Sequence, residues 1–449
     1  MEIKITLSHF KTKLKILFKN NLILSRFFWF FFSIFSLINF YFSRAHNLYQ
    51  DILNKYREVE IIKIAFIGPV HSSHFKNFKK TLENNFYNDT KKIFMYVNSY
   101  PTESQKDFSM ELNIDKGLYN FFGYRSKKAI SWSKELILNA NHNLNYFNKN
   151  LISQRLIKFK PDFIWIHDLQ SGGYLANHFI DDLKNSLPNC KVIASIWGND
   201  LYFYFEHPLH QIQLKLLLCH VDYLHGESPR DAKIAKELGF NGNVLPESSI
   251  TMTDINELES LNNNSVKEKD IFLCVKGSYY LRSNLSLIFN EINSYPKYWK
   301  NKKIVFVGSS EEDNFYIRKI KTKHKLDIDY FSWMSFEDYI NFLRRSKFHL
   351  VCNLSDGILN SAAESAFTDS LPIFSRDTGL CEFLDKELIS NITYDFKDVS
   401  FISLLENLVN NDNLYQSNLN SIKHIYRKRV YNLDIYKKIF KLLEVKKIN

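Results

Sequence analysis

Short apolar runs that end in a glycine or a polar residue recur along this chain, and stretches long enough for a helix separate them. Strands that alternate with helices build a parallel sheet with helices on both faces. A polar stretch at 261–269 divides the runs into two sets, which predicts an α/β protein with two doubly wound sheets. The runs are Ile61–Gly68, Lys91–Val97, Pro161–Asp168, Lys191–Asp200, Val221–His225 and Gly242–Glu247, then Ile271–Val275, Ile304–Gly308 and Phe348–Cys352.

The length of the chain supports two domains. Its 449 residues exceed what one hydrophobic core usually holds, and domains of about 180 residues are the natural expectation. We predict an N-terminal extension at 1–58, a first Rossmann-like domain at 59–262 and a second one at 263–425. A C-terminal helix at 426–449 follows, for which a return to the first domain is one expectation.

A pair of carboxylates eight positions apart, Asp356 and Glu364, marks the second half. Between them lie Gly357 and then Asn360 and Ser361, which are good helix N-caps and open a run of small residues. A turn that opens into a helix leaves backbone N–H groups unpaired, and these bind phosphate or diphosphate. Glu364 would fall about two turns along the helix, so the pair could hold hydroxyls at two ends of one ligand. This arrangement suits a nucleotide-sugar pocket.

The stretch that opens with Asp356 resembles the donor-site signature of GT-B retaining glycosyltransferases, in particular family 4. That signature has an acidic residue, seven residues and a glutamate, then a small-residue helix, a Leu-Pro strand and an Asp-x-Gly turn. Leu371-Pro372 and Asp377-Thr378-Gly379 match it, whereas Asp356 replaces the more common glutamate and Ser370 the usual glycine. The resemblance covers most of the chain. It implies a GT-B fold, with two Rossmann-like domains that face a cleft.

The resemblance also implies roles for individual residues. His167, at the end of a predicted strand, would face the donor sugar and complete a catalytic set with Asp356 and Glu364. Glu364 would hold the ribose hydroxyls, and Asp356 the sugar hydroxyls. The family usually places an arginine and a lysine after the first strand of the second domain to bind the diphosphate. Lys276 and Arg282 stand there, at a different spacing.

Further candidates follow from the same resemblance, and each has a structural alternative. His167 could be an ordinary strand-end histidine, and Lys276 and Arg282 could be solvated surface charges. The segment that holds Trp333 and Met334 could be ordinary aromatic core. Trp333 and Met334 would lie over the nucleotide base, and Gly357, Asn360 and Ser361 would bind the donor. On the acceptor side of the cleft the candidates are His71, His74, Gly198 and Asp200.

No metal and no organic cofactor is expected, because a helix terminus and two cations can neutralise the leaving diphosphate of the donor substrate. Asp327-Ile328-Asp329 resembles an Asp-x-Asp metal motif, but a lysine-rich stretch precedes it, so we interpret it as the start of a strand. The cysteines show no zinc spacing and are predicted to be small buried residues in a reducing compartment. They are Cys190, Cys219, Cys274, Cys352 and Cys381.

Charge and hydropathy indicate a membrane surface as a partner. The formal net charge is +11, and a lysine-rich arm precedes the uncharged run Phe27–Ser43. Seventeen residues are at the lower limit for a membrane span, so an interfacial helix beside an anionic cytosolic leaflet is the interpretation we favour. The alternative is that this segment packs on the enzyme. Nucleic-acid binding is not expected, since the sequence shows no basic patch interleaved with aromatic residues on a recognised nucleic-acid-binding module.

The sequence thus predicts a retaining glycosyltransferase that moves a sugar from a nucleotide diphosphate to a glycan or lipid-linked acceptor. Cell-surface polysaccharide or glycolipid synthesis is the expected setting. The predicted location is the cytoplasm, with peripheral or monotopic attachment at the inner face of the cell membrane. Two alternatives stay open: a GT-B sugar-nucleotide epimerase, and a non-catalytic degenerate transferase that acts as a membrane assembly partner.

Overall fold

The computed structural model describes residues 62–70, 72–86, 92–98, 149–202, 205, 207–249, 255–262, 269–277, 285–353, 356–395, 401–430, 437–439 and 441. Several predictions fall outside these residues: the N-terminal extension at 1–58 with its membrane segment Phe27–Ser43, and the candidate site residues His71 and Arg282.

The first half of the described chain forms a six-stranded parallel sheet with the strand order β2-β1-β3-β4-β5-β6. All six predicted runs form strands, although most strands are shorter than the runs. The strands are β1 Ile62–Gly68, β2 Lys92–Asn98, β3 Phe163–His167, β4 Lys191–Ser195, β5 Tyr223–His225 and β6 Asn243–Val244. The helices are α1 Ser73–Phe86, α2 Lys149–Phe159, α3 Ile180–Ser186, α4 Pro208–Leu218 and α5 Pro229–Glu237.

Strand β3 shows why the sequence folds in this way. All five of its side chains are buried, because a central strand of a parallel sheet has helices on both faces. Ile164 and Ile166 pack into the core on one face, while Phe163 and Trp165 pack into the core on the other. The indole of Trp165 donates a hydrogen bond of 2.6 Å to Ser195 Oγ on β4, which satisfies its polar atom in the core.

The second half forms another six-stranded parallel sheet, with the order β12-β11-β10-β7-β8-β9. Its strands are β7 Ile271–Lys276, β8 Ile304–Val307, β9 Ile328–Phe331, β10 Ser346–Val351, β11 Leu371–Ser375 and β12 Thr393–Tyr394. Its helices are α6 Ile255–Asn262, α7 Ser286–Ser294, α8 Pro296–Trp299, α9 Glu311–His324, α10 Phe336–Arg345, α11 Asn360–Phe367, α12 Lys386–Ile392, α13 Phe401–Asn410 and α14 Asp412–Ile425.

Helix α6 and Ile439 bear on the predicted domain limits. Ile255 and Leu258 of α6 belong to the core of the second sheet, although α6 precedes the predicted boundary at 262. Ile439 is fully buried in a core cluster of the first sheet, beside Phe66. The exact domain limits stay predictions.

The Asp327-Ile328-Asp329 segment is the start of a strand, as predicted, because β9 begins at Ile328. Asp329 lies 3.2 Å from Lys303 Nζ and 3.9 Å from Lys321 Nζ. Its carboxylate therefore has lysine partners on both sides.

All five cysteines are free thiols. Cys190, Cys274 and Cys352 are buried, as the sequence predicts. The prediction is wrong for Cys219, which is exposed because it lies just past the end of α4, and only partly right for Cys381, which is half-buried.

No helix in the described part of the chain is both long and apolar enough to cross a membrane.

Two basic residues of the C-terminal segment have acidic partners within the protein: Lys423 pairs with Asp369, and Arg427 pairs with Glu259. The Arg427 guanidinium also lies 5.1 Å from the centre of the Phe367 ring. Both cations are thus paired within the protein.

Candidate functional site

The strand order places a crevice between β7 and β10. These strands are neighbours, but the chain leaves β7 for β8 on one side and leaves β10 for β11 on the other. Lys276 is the last residue of β7 and lies in register with Val351 of β10. In open α/β sheets, ligands bind beyond the carboxyl ends of the strands at such a reversal. Lys276 and the start of α11, which follows β10, therefore line the candidate site.

Helix α11 follows β10 and carries the predicted signature, but it begins differently from the prediction. Leu359 is the N-cap, with extended backbone and no side-chain capping bond, so Asn360 and Ser361 occupy the first two helical positions. The prediction that these two are N-caps is wrong. Glu364 is the fifth residue of the helix, about one turn from its start rather than two. Its carboxylate is accordingly closer to the helix N-terminus than expected.

Glu364 is a buried carboxyl, with only 7% of the residue exposed. Burial raises its pKa, while the nearby Lys276 amine and a hydrogen bond with the Tyr339 hydroxyl oppose that rise. The amine lies 4.0 Å from Glu364 Oε2, which has no hydrogen-bond partner among the described residues. A buried oxygen without a partner is unfavourable, and a hydrogen bond donated by a ligand hydroxyl would satisfy it.

Lys276 is positioned by this same group of side chains. Its amine lies 5.2 Å from the centre of the Tyr339 ring, and its side chain is 39% exposed. The cation can thus reach a ligand in the crevice while the buried Glu364 supplies part of its counter-charge. The structure brings together Lys276 and Glu364, two residues that the sequence assigned to one donor site.

Asp356 lies at the other end of the signature, in the turn before α11. Its Oδ1 accepts a hydrogen bond of 2.9 Å from Gly357 N, and its Oδ2 accepts one of 2.8 Å from the Asn353 side chain. Its carbonyl accepts from Gly379 N at 2.9 Å. The Asp-x-Gly turn at the end of the signature therefore packs on its first residue.

Two glycine turns from opposite halves meet beside this carboxylate. A Cβ on Gly357 would lie 2.4 Å from Gly198 Cα, and a Cβ on Gly198 would lie 2.6 Å from Gly357 N. Gly198 also has φ +70°, a conformation that favours glycine. The sequence assigned Gly198 to the acceptor side and Gly357 to the donor side. Their backbones are in direct contact, which neither motif indicates by itself.

Asp200, another acceptor-side candidate, holds the Gly198 turn from within the first half. Its carboxylate accepts hydrogen bonds from Leu169 N at 2.8 Å and from Trp197 N at 2.9 Å. The side chain is buried, and desolvation raises its pKa well above the ordinary value. Asp200 thus fixes the backbone at Leu169 and Trp197, and a direct contact with an acceptor stays a prediction.

Glu227 and Arg230, which sequence reasoning did not single out, connect the halves. Arg230 donates through Nη1 to Asp377 O at 3.0 Å and through Nη2 to Asp356 O. The Glu227 carboxyl, buried with its pKa raised well above the ordinary value by desolvation, accepts from Ile358 N at 3.1 Å. The available signal was a polar run at the end of β5, just before a helix. Both residues thus hold the turn that leads into α11.

His167 is placed differently from the prediction. Its ring has no exposed surface, and neither ring nitrogen has a hydrogen-bond partner among the described residues. Phe75 and Phe78 of α1 cover it at centroid distances of 5.3 and 4.5 Å, and Trp165 stacks on it at 5.6 Å. Burial lowers its pKa well below 6.5, with a further contribution from His225. The ring belongs to an aromatic cluster, because α1 packs over the end of β3.

The other candidates lie nearer the surface. His74 is exposed on α1, and its ring centre lies 5.9 Å from that of Trp197. Trp333 is 76% exposed, whereas Met334 is partly buried against the core of the second sheet. An exposed indole is available to stack on a nucleotide base, and that role stays a proposal.

No family model matches the chain, and no curated protein matches it. The fold is nevertheless similar to solved structures. An E. coli trehalose-6-phosphate structure bound with UDP-2-fluoro glucose has a TM-score of 0.58 and 13% identity, covering 86% of this chain and 99% of that one. An α,α-trehalose-phosphate synthase (UDP-forming) from Burkholderia xenovorans, in complex with glucose-6-phosphate, has a TM-score of 0.54 and 11% identity, covering 86% and 100%.

The N-terminal domain of a Candida albicans trehalose-6-phosphate phosphatase is similar too, with a TM-score of 0.59 and 12% identity over 87% of this chain and 98% of that one. Identities at this level show the fold alone. Together with the two parallel sheets, they confirm the predicted GT-B architecture.

Proposed function

We propose that the chain is a retaining glycosyltransferase that moves a sugar from a nucleotide diphosphate to a glycan or lipid-linked acceptor. The observation that carries the proposal is the position of Lys276 and Glu364, 4.0 Å apart at the carboxyl end of β7 and beside the start of α11. Two solved structures of similar fold support it: one is bound with UDP-2-fluoro glucose, and the other was used to study the mechanism of enzymatic glycosyltransfer with retention.

The proposed chemistry is stabilisation of the leaving diphosphate. The first N–H groups of α11 and the Lys276 amine supply positive charge where negative charge develops on the leaving oxygens. The Oε2 atom of Glu364 accepts hydrogen bonds from the ribose hydroxyls, and the turn at Asp356 holds the sugar. Holding donor and acceptor in the correct geometry contributes much of the rate. Because the His167 ring is enclosed by aromatic side chains, we leave it out of these contacts.

We also propose that the acceptor is presented at a membrane in surface polysaccharide or glycolipid synthesis. The support is the net charge of +11 and the lysine-rich arm before Phe27–Ser43. The partners would be the nucleotide-sugar donor, the glycan or lipid-linked acceptor and an anionic membrane surface.

Calorimetry with UDP, GDP, ADP and CDP tests the donor site. We expect one of them to bind with a dissociation constant of about 1 mM or tighter. Lys276→Gln is expected to weaken that binding about 10-fold, because the diphosphate loses a charge-assisted contact. Lys319→Gln, at an exposed position on α9, is the control that should leave binding unchanged. No binding of any nucleoside diphosphate to the wild-type protein at millimolar concentration would contradict the proposal and favour the non-catalytic alternative.

A further inference from the structure

The N-terminus of helix α5, in the first half, packs against both turns of the donor signature in the second half. The Arg230 guanidinium donates through Nη1 to Asp377 O at 3.0 Å and through Nη2 to Asp356 O. A parallel β-bridge joins Asp356 to Thr378, and Gly379 N donates to the same Asp356 O at 2.9 Å. One side chain of the first half therefore binds both turns at the point where they meet.

The guanidinium is fixed by its surroundings. It lies 3.7 Å from the centre of the Tyr202 ring, which is a cation–π contact, and its Nε lies 3.9 Å from Oδ1 of the buried Asp231. The Arg230 side chain is only 11% exposed. A planar fork that donates two charge-assisted hydrogen bonds at a nearly buried position holds its acceptors in one geometry.

The second half returns this contact. Glu382 Oε2 accepts a hydrogen bond of 2.8 Å from Arg230 N, at the second residue of α5, where a carboxylate is favourable. A Cβ on Gly379 would lie 3.0 Å from Ser228 Oγ and 3.3 Å from Arg230 Nη2. The turn and the helix thus approach so closely that little room is left for a side chain between them.

We infer that Arg230 is a positioning residue for sugar transfer, which binds both turns from the first half and so gives the sugar-binding end of the donor site its geometry. The inference rests on the proposed function, in which the turn at Asp356 holds the sugar. Arg230 acts through the backbone of the two turns, since both of its Nη atoms donate to carbonyl oxygens.

The two ends of the donor site consequently depend on different parts of the protein. Lys276 and Glu364, at the nucleotide end, both belong to the second sheet and its helices. The sugar end needs the first half as well, through Arg230. The two halves have separate hydrophobic cores, and relative motion is the ordinary expectation for such units. Loss of Arg230 should therefore disturb the sugar end and leave the nucleotide end intact.

Arg230→Ala tests the inference through the split between transfer and nucleotide binding. We expect transfer to fall about 100-fold, because the reacting sugar is misplaced, while affinity for the nucleoside diphosphate selected above stays within about 2-fold. Transfer is measured as nucleoside diphosphate released from the corresponding nucleotide sugar (UDP-glucose, GDP-mannose, ADP-glucose or CDP-glucose) with glycan or lipid-linked acceptors. Arg230→Lys should recover transfer only partly, since a single amine lacks the fork that binds both carbonyls.

Chemical rescue separates a positioning role from a general structural one. In Arg230→Ala, guanidinium chloride at about 20 mM should raise transfer at least about 5-fold, because the ion can occupy the vacated space beside Tyr202 and donate to the same carbonyls. Sodium chloride at the same concentration should not. Guanidinium at this level is far below the concentrations that unfold proteins.

Arg345→Ala is the matched control. Arg345 also forms an ion pair, with Asp270, but it lies just before the start of β10, at the opposite end of the strand from the candidate site. We expect wild-type transfer, wild-type affinity and no response to guanidinium in this variant.

Three results would overturn the inference and leave the proposed function intact: wild-type transfer by folded Arg230→Ala, an equal loss of transfer and of nucleoside diphosphate affinity, or an equal response to the two salts. If Arg230→Ala does not fold, the exposed Glu382 decides, because Glu382→Ala removes the returning hydrogen bond. It should lower transfer about 5-fold at unchanged affinity, and wild-type transfer would overturn the inference. A wild-type protein that neither binds a nucleoside diphosphate nor releases one from its nucleotide sugar contradicts the proposed function itself.

Discussion

Glu364→Ala is expected to lower affinity for the nucleoside diphosphate at least about 100-fold, equivalent to about 2.7 kcal/mol, and to abolish measurable transfer. The reason is geometric: the residue is 7% exposed, lies about one turn into α11, and has a carboxylate oxygen, Oε2, without a hydrogen-bond partner among the described residues. No other carboxylate in the described structure lies within 4 Å of the Lys276 amine. Calorimetry and a transfer assay measure the two effects.

The controls for this variant separate function from folding. Glu387→Ala, at an exposed position on α12, should behave as the wild-type protein does. Because burial raises the pKa of Glu364, the stabilisation that its neutral form gives is present at low pH and lost as pH rises through that pKa. We therefore expect the free energy of unfolding of Glu364→Gln at pH 8 to be at least as large as that of the wild type. Full activity in folded Glu364→Ala would refute the assignment of the donor site.

Gly357→Ala is expected to lower transfer activity about 100-fold, because a displacement of about 1 Å at a reacting site has effects of this size. The added Cβ would lie 2.4 Å from Gly198 Cα and 2.2 Å from Glu227 Oε2, so the two halves must separate or the turn before α11 must shift. Nucleoside diphosphate affinity should fall less than transfer does, since Lys276 and Glu364 both belong to the second sheet and its helices. Steady-state kinetics and calorimetry on one preparation measure the two quantities.

Gly239→Ala is the control for this substitution. No atom lies within 4 Å of a Cβ at Gly239, but the residue has φ +98°, so the change strains the backbone without a clash. It is expected to reduce the free energy of unfolding by about 1 kcal/mol and to leave the activity of the folded protein unchanged. Wild-type transfer by Gly357→Ala would show that contact between the two glycine turns is not needed for activity.

The sheets and the donor signature were predictable because they depend on local pattern. Buried parallel strands read as continuous apolar runs, and the turn and small-residue helix around Glu364 have their own composition. Helix α11 did form where the spacing predicted it. Its first residue was misplaced because Leu359, rather than the better capping residues Asn360 and Ser361, takes the N-cap position, and sequence cannot show which residue has extended backbone.

The remaining site residues depend on tertiary contacts. Arg230 and Glu227 bind backbone groups more than one hundred residues away, and the polar run in their own segment does not show which groups these are. For His167, the strand was predicted correctly but the surroundings of the ring were not. Only the packing of α1 decides that aromatic rings enclose it.

Transfer of a sugar with retention is observed directly at the anomeric carbon of the product. The donor selected by calorimetry is incubated with and without glycan or lipid-linked acceptors, and the anomeric protons are followed by NMR. We expect nucleoside diphosphate to be released together with a new glycosidic bond that keeps the anomeric configuration of the donor, and only when an acceptor is present. An inverted bond, or a donor epimer formed without any acceptor, would contradict it.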